Sequence, residues 1–228
     1  MLPRSLPRPH RVPGADRPSG VPGSQTGSSG LPHLRQYPAG HEIFHQGDQA
    51  DDVFLIEHGL VKILLSNPDG KDWLDLRSDS CFLAACDVGL SADYQVTAVT
   101  VVPSLLARID GADFRQRLHD DAAFSWKINE QHCQEIRELR LRVFELLFVP
   151  ADECLLRRMW SVASLTCAEA PDIGTEFDLP LKMEEVAQWV GVTPQTVSRL
   201  FKGLTAKKAI SRKDRRLTLL RRPSENFI

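Results

Sequence analysis

The sequence predicts an α+β fold in three consecutive parts: an antiparallel, jelly-roll-like β-roll, a long helix and a winged helix-turn-helix. Short apolar runs separated by turn residues fill 37–112, which indicates the roll. Apolar residues three and four apart continue through 113–149, and two short amphipathic segments meet at Gly191 within 150–222. The chain has 228 residues, 42% of them hydrophobic and 25% charged, as is typical of one large or two small globular domains.

The first segment, 1–36, is poor in large apolar side chains and rich in Pro, Gly, Ser and Arg. Such a segment buries too little surface to offset its chain entropy, so we expect a disordered arm, with a short tail over 223–228 at the other end. The arm lacks the apolar core of a signal peptide, and no apolar run approaches the ~20 residues that cross a bilayer. We therefore expect a cytoplasmic protein without a membrane partner.

Six apolar runs within 37–112 are strand candidates: Ile43-Phe44, Val53–Ile56, Val61–Leu65, Trp73–Leu76, Val96–Val102 and Leu105–Ile109. The turn residues between them are Gly47-Asp48, Gly59 and Pro68-Asp69-Gly70. Short strands at this spacing predict an antiparallel barrel or roll.

A zinc-protease motif, H-E-x-x-H, is matched by His41, Glu42 and His45. Its chemistry needs both histidines on consecutive turns of one helix, but Pro38 before the motif and Gly47 after it leave no room for that helix. We therefore predict no metal site here. The competing function is a cupin-like metal enzyme with a basic appendage that binds nucleic acid, although the H-x-H pair usual in such barrels is absent.

The five cysteines are odd in number and contain no C-x-x-C pair: Cys81, Cys86, Cys133, Cys154 and Cys167. This pattern predicts neither a disulfide framework nor a zinc knuckle. We expect most of them to be reduced, buried core residues. Redox sensing through Cys81 and Cys86 is a weaker hypothesis, because neither has the flanking positive charge that lowers a thiol pKa.

The stretch from about Asp113 to Phe148 is predicted to be helical. A three-four spacing marks one apolar stripe along it: Ile136, Leu139, Val143 and Leu147. The stripe suits a parallel partner helix, and the alternative is packing on its own domain. Pro150 then starts a second helix, Ala151–Leu165.

The segment Met183–Lys202 has helix-turn-helix spacing. Thr193 is suited to cap the second helix and Pro194 to occupy its first position. The polar face of that helix carries Gln195, Ser198, Arg199 and Lys202, which can reach base edges and phosphates in a major groove. The alternative is an ordinary helical hairpin with a solvated face.

Charge is unevenly distributed along the chain, whose net charge is −2. Arg199–Arg222 contains ten basic residues and one acidic residue, whereas His41–Asp120 contains fourteen acidic and six basic residues. The basic excess indicates a phosphate-facing surface. Strands at 209–211 and 217–220 are predicted to form a wing whose turn carries Arg212 and Lys213.

An acidic roll, a long helix and a basic winged helix-turn-helix, in this order, resemble the Crp-Fnr family of bacterial transcription regulators. The matching motifs are Gly40, Phe44, Gly47-Asp48, Val53–Ile56, Gly59-Leu60-Val61-Lys62, Gly70, Val186-Ala187, Gly191, Thr193 and Thr196-Val197-Ser198-Arg199. The resemblance, over about Tyr37–Arg222, implies a homodimer joined along the long helix, a two-fold site on double-stranded DNA and contact with RNA polymerase when the protein is an activator.

The resemblance also assigns roles to single residues. It implies that Arg199 contacts guanine, with Ser198 assisting and Thr193, Thr196 and Lys202 holding the DNA backbone. Many relatives have a glutamate where Gln195 stands, and a glutamine favours adenine instead of cytosine.

The predicted sensor site departs from the cyclic-nucleotide binders of that family. They carry a Gly-Glu pair and an Arg-Ser or Arg-Thr pair, but this chain has Phe82-Leu83-Ala84-Ala85 and Tyr94-Gln95 at those places. Without the arginine a cyclic phosphate lacks its charge partner, which argues against cyclic AMP. Cys81 is the first cysteine, which argues against the iron-sulfur cluster that oxygen sensors hold ahead of the roll; haem is left open.

These observations predict a dimeric DNA-binding regulator, not an enzyme, whose roll senses an unidentified signal, such as a small-molecule effector. A variation is a regulator that uses the roll only for dimerisation and polymerase contact.

Overall fold

The computed structural model describes residues 33–68 and 72–224. The roll consists of two four-stranded antiparallel sheets, in the orders β1-β8-β3-β6 and β2-β7-β4-β5. Its elements are β1 (His33–Tyr37), β2 (Glu42–Phe44), β3 (Asp52–His58), β4 (Leu60–Ser66), β5 (Asp72–Ser78), β6 (Phe82–Leu83), α1 (Ala85–Gly89), β7 (Thr97–Thr100) and β8 (Ser104–Asp110). Val53, Ile56 and Leu106 are fully buried in its core. The predicted antiparallel roll is confirmed, and all six strand candidates are strands.

The sequence analysis did not predict β1, β6 or α1. The expected disordered arm is wrong for 33–36, because β1 pairs with β8 from His33 to Tyr37. The first four residues of β1 are exposed, so backbone hydrogen bonds rather than burial hold this edge strand, and no apolar alternation reveals it. The remainder of the arm, Asp69-Gly70 of the expected turn and most of the tail lie outside the described residues.

The predicted helix from Asp113 is two helices, α2 (Gly111–Asp120) and α3 (Ala122–Phe148). Asp121 between them is extended, and its side chain accepts a hydrogen bond from the Phe124 backbone N–H (3.0 Å). The ring of Phe114 in α2 is fully buried and meets that of Phe124 edge-on at 5.6 Å. The break therefore anchors α2 on the roll and lets the 27-residue α3 run past it.

The C-terminal part contains α4 (Ala151–Thr166), β9 (Glu176–Asp178), α5 (Met183–Val190), α6 (Pro194–Ala206), β10 (Ile210–Lys213) and β11 (Arg216–Leu219). The strands form a sheet in the order β10-β11-β9. The wing is thus confirmed, but β10 extends further than predicted and its turn narrows to Asp214-Arg215. No helix among the described residues is long and apolar enough to cross a membrane.

The expected burial of the cysteines is only partly correct. Cys154 is buried, Cys81 and Cys167 are half-buried, and Cys86 and Cys133 are exposed. Burial raises the pKa of the Cys81 thiol to about 12, although the nearby Arg77 acts in the opposite direction. Both exposed cysteines lie on helices, where their neighbours in sequence do not show which side faces the core.

Candidate nucleic-acid interface

The turn between α5 and α6 is built from Gly191, Val192 and Thr193. Gly191 has φ +81°, a left-handed conformation that glycine adopts without strain, and its N–H donates to the Ala187 carbonyl (2.9 Å). Thr193 caps α6 by accepting a hydrogen bond from the Thr196 N–H (3.3 Å), and Pro194 occupies the first turn. The predicted helix-turn-helix is confirmed in its helices, turn and cap.

Helix α6 has one buried face and one exposed face. Val197, Phe201 and Leu204 are buried at spacings of four and three, so they fix the rotation of the helix about its axis. Gln195, Ser198, Arg199 and Lys202 are all exposed. The four side chains predicted to meet DNA thus share a solvent-facing surface, which we call the reading face.

The two threonines of the predicted site are already engaged with each other. Their hydroxyl oxygens lie 3.0 Å apart, and Thr193 is exposed whereas Thr196 is half-buried. A hydroxyl can accept one bond and donate another, so the cap leaves room for a phosphate contact at the helix N-terminus.

Several basic residues of Arg199–Arg222 are already bonded to groups of the same chain. Four form ion pairs: Lys207 with Asp152, Arg216 with Glu176, Arg221 with Glu153, and Arg222 with Asp172. Arg215 donates to the Leu179 carbonyl (3.0 Å). The count of ten basic residues therefore overstates the surface available for phosphate.

The remaining basic residues are exposed: Arg199, Lys202, Lys208, Arg212 and Lys213. Among the described residues, none of the five forms an ion pair with a carboxylate. The Arg212 guanidinium lies 4.6 Å from the centre of the Phe201 ring, which places the wing beside α6. Sequence reasoning did not single out Lys208, whose left-handed backbone (φ +52°) at the end of α6 has no local sequence signal.

A second candidate site is a cavity of about 150 Å³ between the roll and α3. Five of the six residues predicted for an effector line it: Phe82, Leu83, Ala84, Ala85 and Gln95. Tyr94 does not, because it is a core residue: its ring stacks on Phe44 at 4.2 Å, and its hydroxyl donates to the Asp52 carbonyl (3.0 Å). Tyr94 was assigned to the pocket because Tyr94-Gln95 stands where cyclic-nucleotide binders carry their arginine pair, but only Gln95 lines the cavity.

Helix α3 supplies the far wall of this cavity. Gln131 donates to the Phe82 carbonyl (2.9 Å) and accepts from the Phe82 N–H (2.8 Å), so both its polar atoms are used. His132 also lines the cavity, and its buried Nε2 has no hydrogen-bond partner among the described residues. Gln131 was not predicted to line the cavity, because it is 49 positions from Phe82 in the sequence.

The cavity is unsuited to an anion. Its carboxylates are those of Asp87 and Glu135, and its one arginine, Arg77, already pairs with Asp75 (2.8 Å). Burial raises the pKa of Asp87, and the charge of Glu135 acts in the same direction.

The predicted seam residues of α3 are exposed in the single chain. Exposed fractions are 48% for Ile136, 45% for Leu139, 57% for Val143 and 67% for Leu147. The roll packs against the N-terminal part of α3, through Phe124 and Ile128, ahead of these four residues.

The H-E-x-x-H match lies in and beside strand β2, with Glu42 and His45 exposed. Across 33–68 and 72–224, no three His, Cys, Asp or Glu side chains converge as metal ligands.

Comparison with known proteins gives two domain matches. Residues 34–121 match the cyclic nucleotide-binding domain, and 154–224 match the Crp-like helix-turn-helix domain. The cAMP-activated global transcriptional regulator CRP of Salmonella typhimurium is 24% identical over 186 residues, covering 78% of this chain and 85% of that protein. The probable transcriptional regulator flp of Lacticaseibacillus casei is 26% identical over 192 residues, covering 83% and 84%.

Solved structures show the same fold. The c-di-GMP responsive global regulator CLP of Xanthomonas campestris matches with a TM-score of 0.72 and 18% identity, covering 84% of this chain and 95% of that one. FixK2 of Bradyrhizobium japonicum also has a TM-score of 0.72, at 15% identity, covering 84% and 94%.

Proposed function

The chain belongs to the Crp-Fnr family of DNA-binding transcription regulators, and from this premise we propose that it binds a two-fold-symmetric DNA site as a homodimer under the control of a small effector. The single observation that carries the proposal is the reading face. Its exposed Gln195, Ser198, Arg199 and Lys202 lie beside the exposed wing residues Arg212 and Lys213. A helix of this kind fits a major groove, with the wing on the adjacent backbone.

Roles follow from the chemistry of each side chain. The Arg199 guanidinium suits the two acceptors of guanine, and the Gln195 amide suits the donor-acceptor pair of adenine. Ser198 assists, while Thr193, Thr196, Lys202, Arg212 and Lys213 contact phosphates. Contact with RNA polymerase and a cytoplasmic location belong to the same proposal, since both follow from action on a promoter.

Dimerisation is supported by the apolar stripe of Ile136, Leu139, Val143 and Leu147. Four large aliphatic side chains exposed on one side of a 27-residue helix are typical of a surface that a partner helix covers. A parallel pair about a two-fold axis would present two reading faces to half-sites about one helical turn apart.

The effector of the proposal is small and not anionic. The cavity beside Phe82 and Gln95 is below the ~300 Å³ usual for drug-sized ligands, and it offers the unpartnered Nε2 of His132. Cyclic AMP fits neither its size nor its charge. The competing function, a cupin-like metal enzyme, is not favoured by any specific observation.

The proposal is tested by selecting binding sites from random duplex DNA with the wild type and with two variants. Arg199→Ala is expected to lower affinity for the selected site by about 10- to 100-fold, since a bidentate base contact is lost. Gln195→Glu is expected to change the preferred base at one position of each half-site from adenine to cytosine, because a carboxylate accepts a hydrogen bond from the cytosine amino group.

The matched control is Arg222→Ala, which removes the same charge from a residue that is paired with Asp172 (2.8 Å) away from the reading face. It is expected to retain the wild-type site. Identical selected sites and affinities for all four proteins would refute the assignment of the reading face.

A further inference from the structure

The helix-turn-helix is docked on the roll of its own chain. One hydrophobic cluster contains residues of both parts. The roll contributes Leu60 at the start of β4 and Leu74 and Leu76 of β5, and α5 contributes Trp189 and Val190. Side-chain bonds flank this contact: Lys62 with Glu185, and Gln188 with Asp72 (3.3 Å). The two parts therefore meet over an interface that is apolar at its centre and polar at its edge.

Arg142 of α3 joins the roll, the long helix and α5. Its side chain is buried, with only 8% of the residue exposed. One guanidinium nitrogen, Nη2, donates to the Leu74 carbonyl (3.1 Å) and to the Trp189 carbonyl, and the guanidinium carbon lies 5.0 Å from the centre of the Trp73 ring. A single side chain thus ties α3 to both β5 and the end of α5.

Asp75 completes this junction from the side of the roll. Its Oδ1 accepts a hydrogen bond from the Trp189 indole N–H (3.2 Å) and lies 3.6 Å from Arg142 Nη1. Its Oδ2 accepts from Arg77 (2.8 Å), and Arg77 lines the cavity between the roll and α3. The contacts are continuous from that cavity, through Asp75, to the first helix of the helix-turn-helix.

The docking leaves the reading face free. The polar contacts described above involve α5, whereas Gln195, Arg199 and Lys202 of α6 remain exposed. In the proposed dimer the apolar stripe fixes α3 beside the two-fold axis. The contacts that hold α5 against α3 therefore also set the distance of each reading face from that axis.

We propose that Asp75 and Arg142 are positioning residues that fix the helix-turn-helix against the roll and α3, and thereby set the separation of the two reading faces in the dimer. The inference rests on the proposed function, since it presupposes a dimer on a two-fold site. Removing one partner of a buried ion pair leaves the other charge buried without compensation. Loss of either residue is therefore expected to let the helix-turn-helix move relative to the roll and α3.

The test measures how strongly binding depends on half-site spacing. From the site selected by the wild type, duplexes are made with the half-sites moved apart or together by one and two base pairs, each step shifting one face by about 3.4 Å along the axis. The wild type is expected to lose about tenfold or more per step. Asp75→Asn and Arg142→Met are expected to bind the best spacing about tenfold more weakly and to discriminate between spacings far less.

Hydrogen exchange of the α5 amides supplies a second readout, with faster exchange expected in both variants. Trp189→Phe removes the indole donor to Asp75 and shortens a buried ring but keeps both charges of the junction. It should give a smaller change of the same kind, so the test survives if a charge variant fails to fold. Arg142→Lys should restore part of the spacing preference. The control is Arg137→Met, an exposed arginine on the same helix, which should behave as the wild type.

The outcomes separate the two proposals. If the wild type selects no DNA, the proposed function fails and this inference fails with it. If the wild type selects a site but folded Asp75→Asn and Arg142→Met keep its spacing preference and α5 protection, the positioning role alone is overturned. Tighter binding by the variants would overturn it as well, since the docked arrangement would then oppose DNA binding.

Discussion

At the scale of single residues, burial separates the thiols of this chain by reactivity. The pKa of Cys81 is raised to about 12 by burial, so at pH 8 only about one molecule in ten thousand carries its thiolate. Burial also raises the pKa of Cys154, and that of Cys86 is raised by partial burial and the Asp87 carboxylate. A redox pair of Cys81 and Cys86 is therefore disfavoured, because neither has a stabilised thiolate.

We predict that iodoacetamide at pH 8 alkylates the exposed Cys86 at least tenfold faster than Cys81 or Cys154. Mass spectrometry of timed samples measures the order, and a sample unfolded in urea, where all thiols should react alike, is the control. Rapid alkylation of Cys81 in the folded protein would contradict the burial argument and revive the redox hypothesis.

The exposed face of α6 could be placed from sequence, because a helix cap and a three-four spacing are local signals. Thr193, Pro194 and Gly191 mark the start of α6 and its turn, and the spacing then assigns Arg199 to the exposed face. The pairing of Arg221 with Glu153, 68 residues away, carries no such local signal. For that reason a charge count could not show which arginines are free.

At the scale of elements, we expect the wing to contribute affinity for any DNA sequence, whereas we expect the reading face to contribute sequence preference. Arg212 and Lys213 lie at the end of β10 and are exposed, so we expect them to meet phosphates. Charges that meet phosphates add affinity without sequence preference and release counterions.

We predict that Arg212→Ala combined with Lys213→Ala weakens binding of specific and random DNA by similar factors. The slope of log affinity against log salt should become shallower by about two, one unit for each lost phosphate contact. Fluorescence anisotropy across a salt series measures this slope. The matched control replaces Arg216 and Arg222, which are already paired with Glu176 and Asp172, and should leave the slope nearly unchanged. An unchanged slope in the wing variant would remove the wing from the interface.

Elements that depend on distant partners were the ones that sequence patterns failed to reveal. Strand β1 forms because it pairs with the edge of β8, while its own first four residues are exposed. The break at Asp121 arises because α2 packs on the roll through Phe114. Strands with a continuous apolar run, such as Val53–Ile56 in β3, were predicted from their own residues.

At the scale of the whole molecule, the junction between the domains joins residues that are far apart in sequence. Arg142 bonds to Leu74 across 68 positions, and Trp189 to Asp75 across 114. No pattern in the chain links these residues, so the order of the domains was predictable but their docking was not. The docking also leaves the reading face exposed to solvent, a relation that only the folded chain defines.

The seam of α3 gives the decisive prediction about assembly. Val143 lies mid-stripe with 57% of its surface exposed, and in a parallel pair the two copies of this residue would face each other across the two-fold axis. In Val143→Glu two carboxylates would meet there, which costs several kcal/mol and should weaken the dimer on the order of 100-fold or more.

Light scattering over a concentration series measures this shift. DNA affinity should fall in parallel, because a monomer engages one half-site. Ile173→Glu is the matched control: Ile173 is equally exposed at 58% but lies in the loop before β9, so its variant should remain dimeric. A Val143→Glu protein that stays dimeric and binds DNA normally would place the dimer interface outside the stripe, and the separation of the reading faces would then be set by another surface.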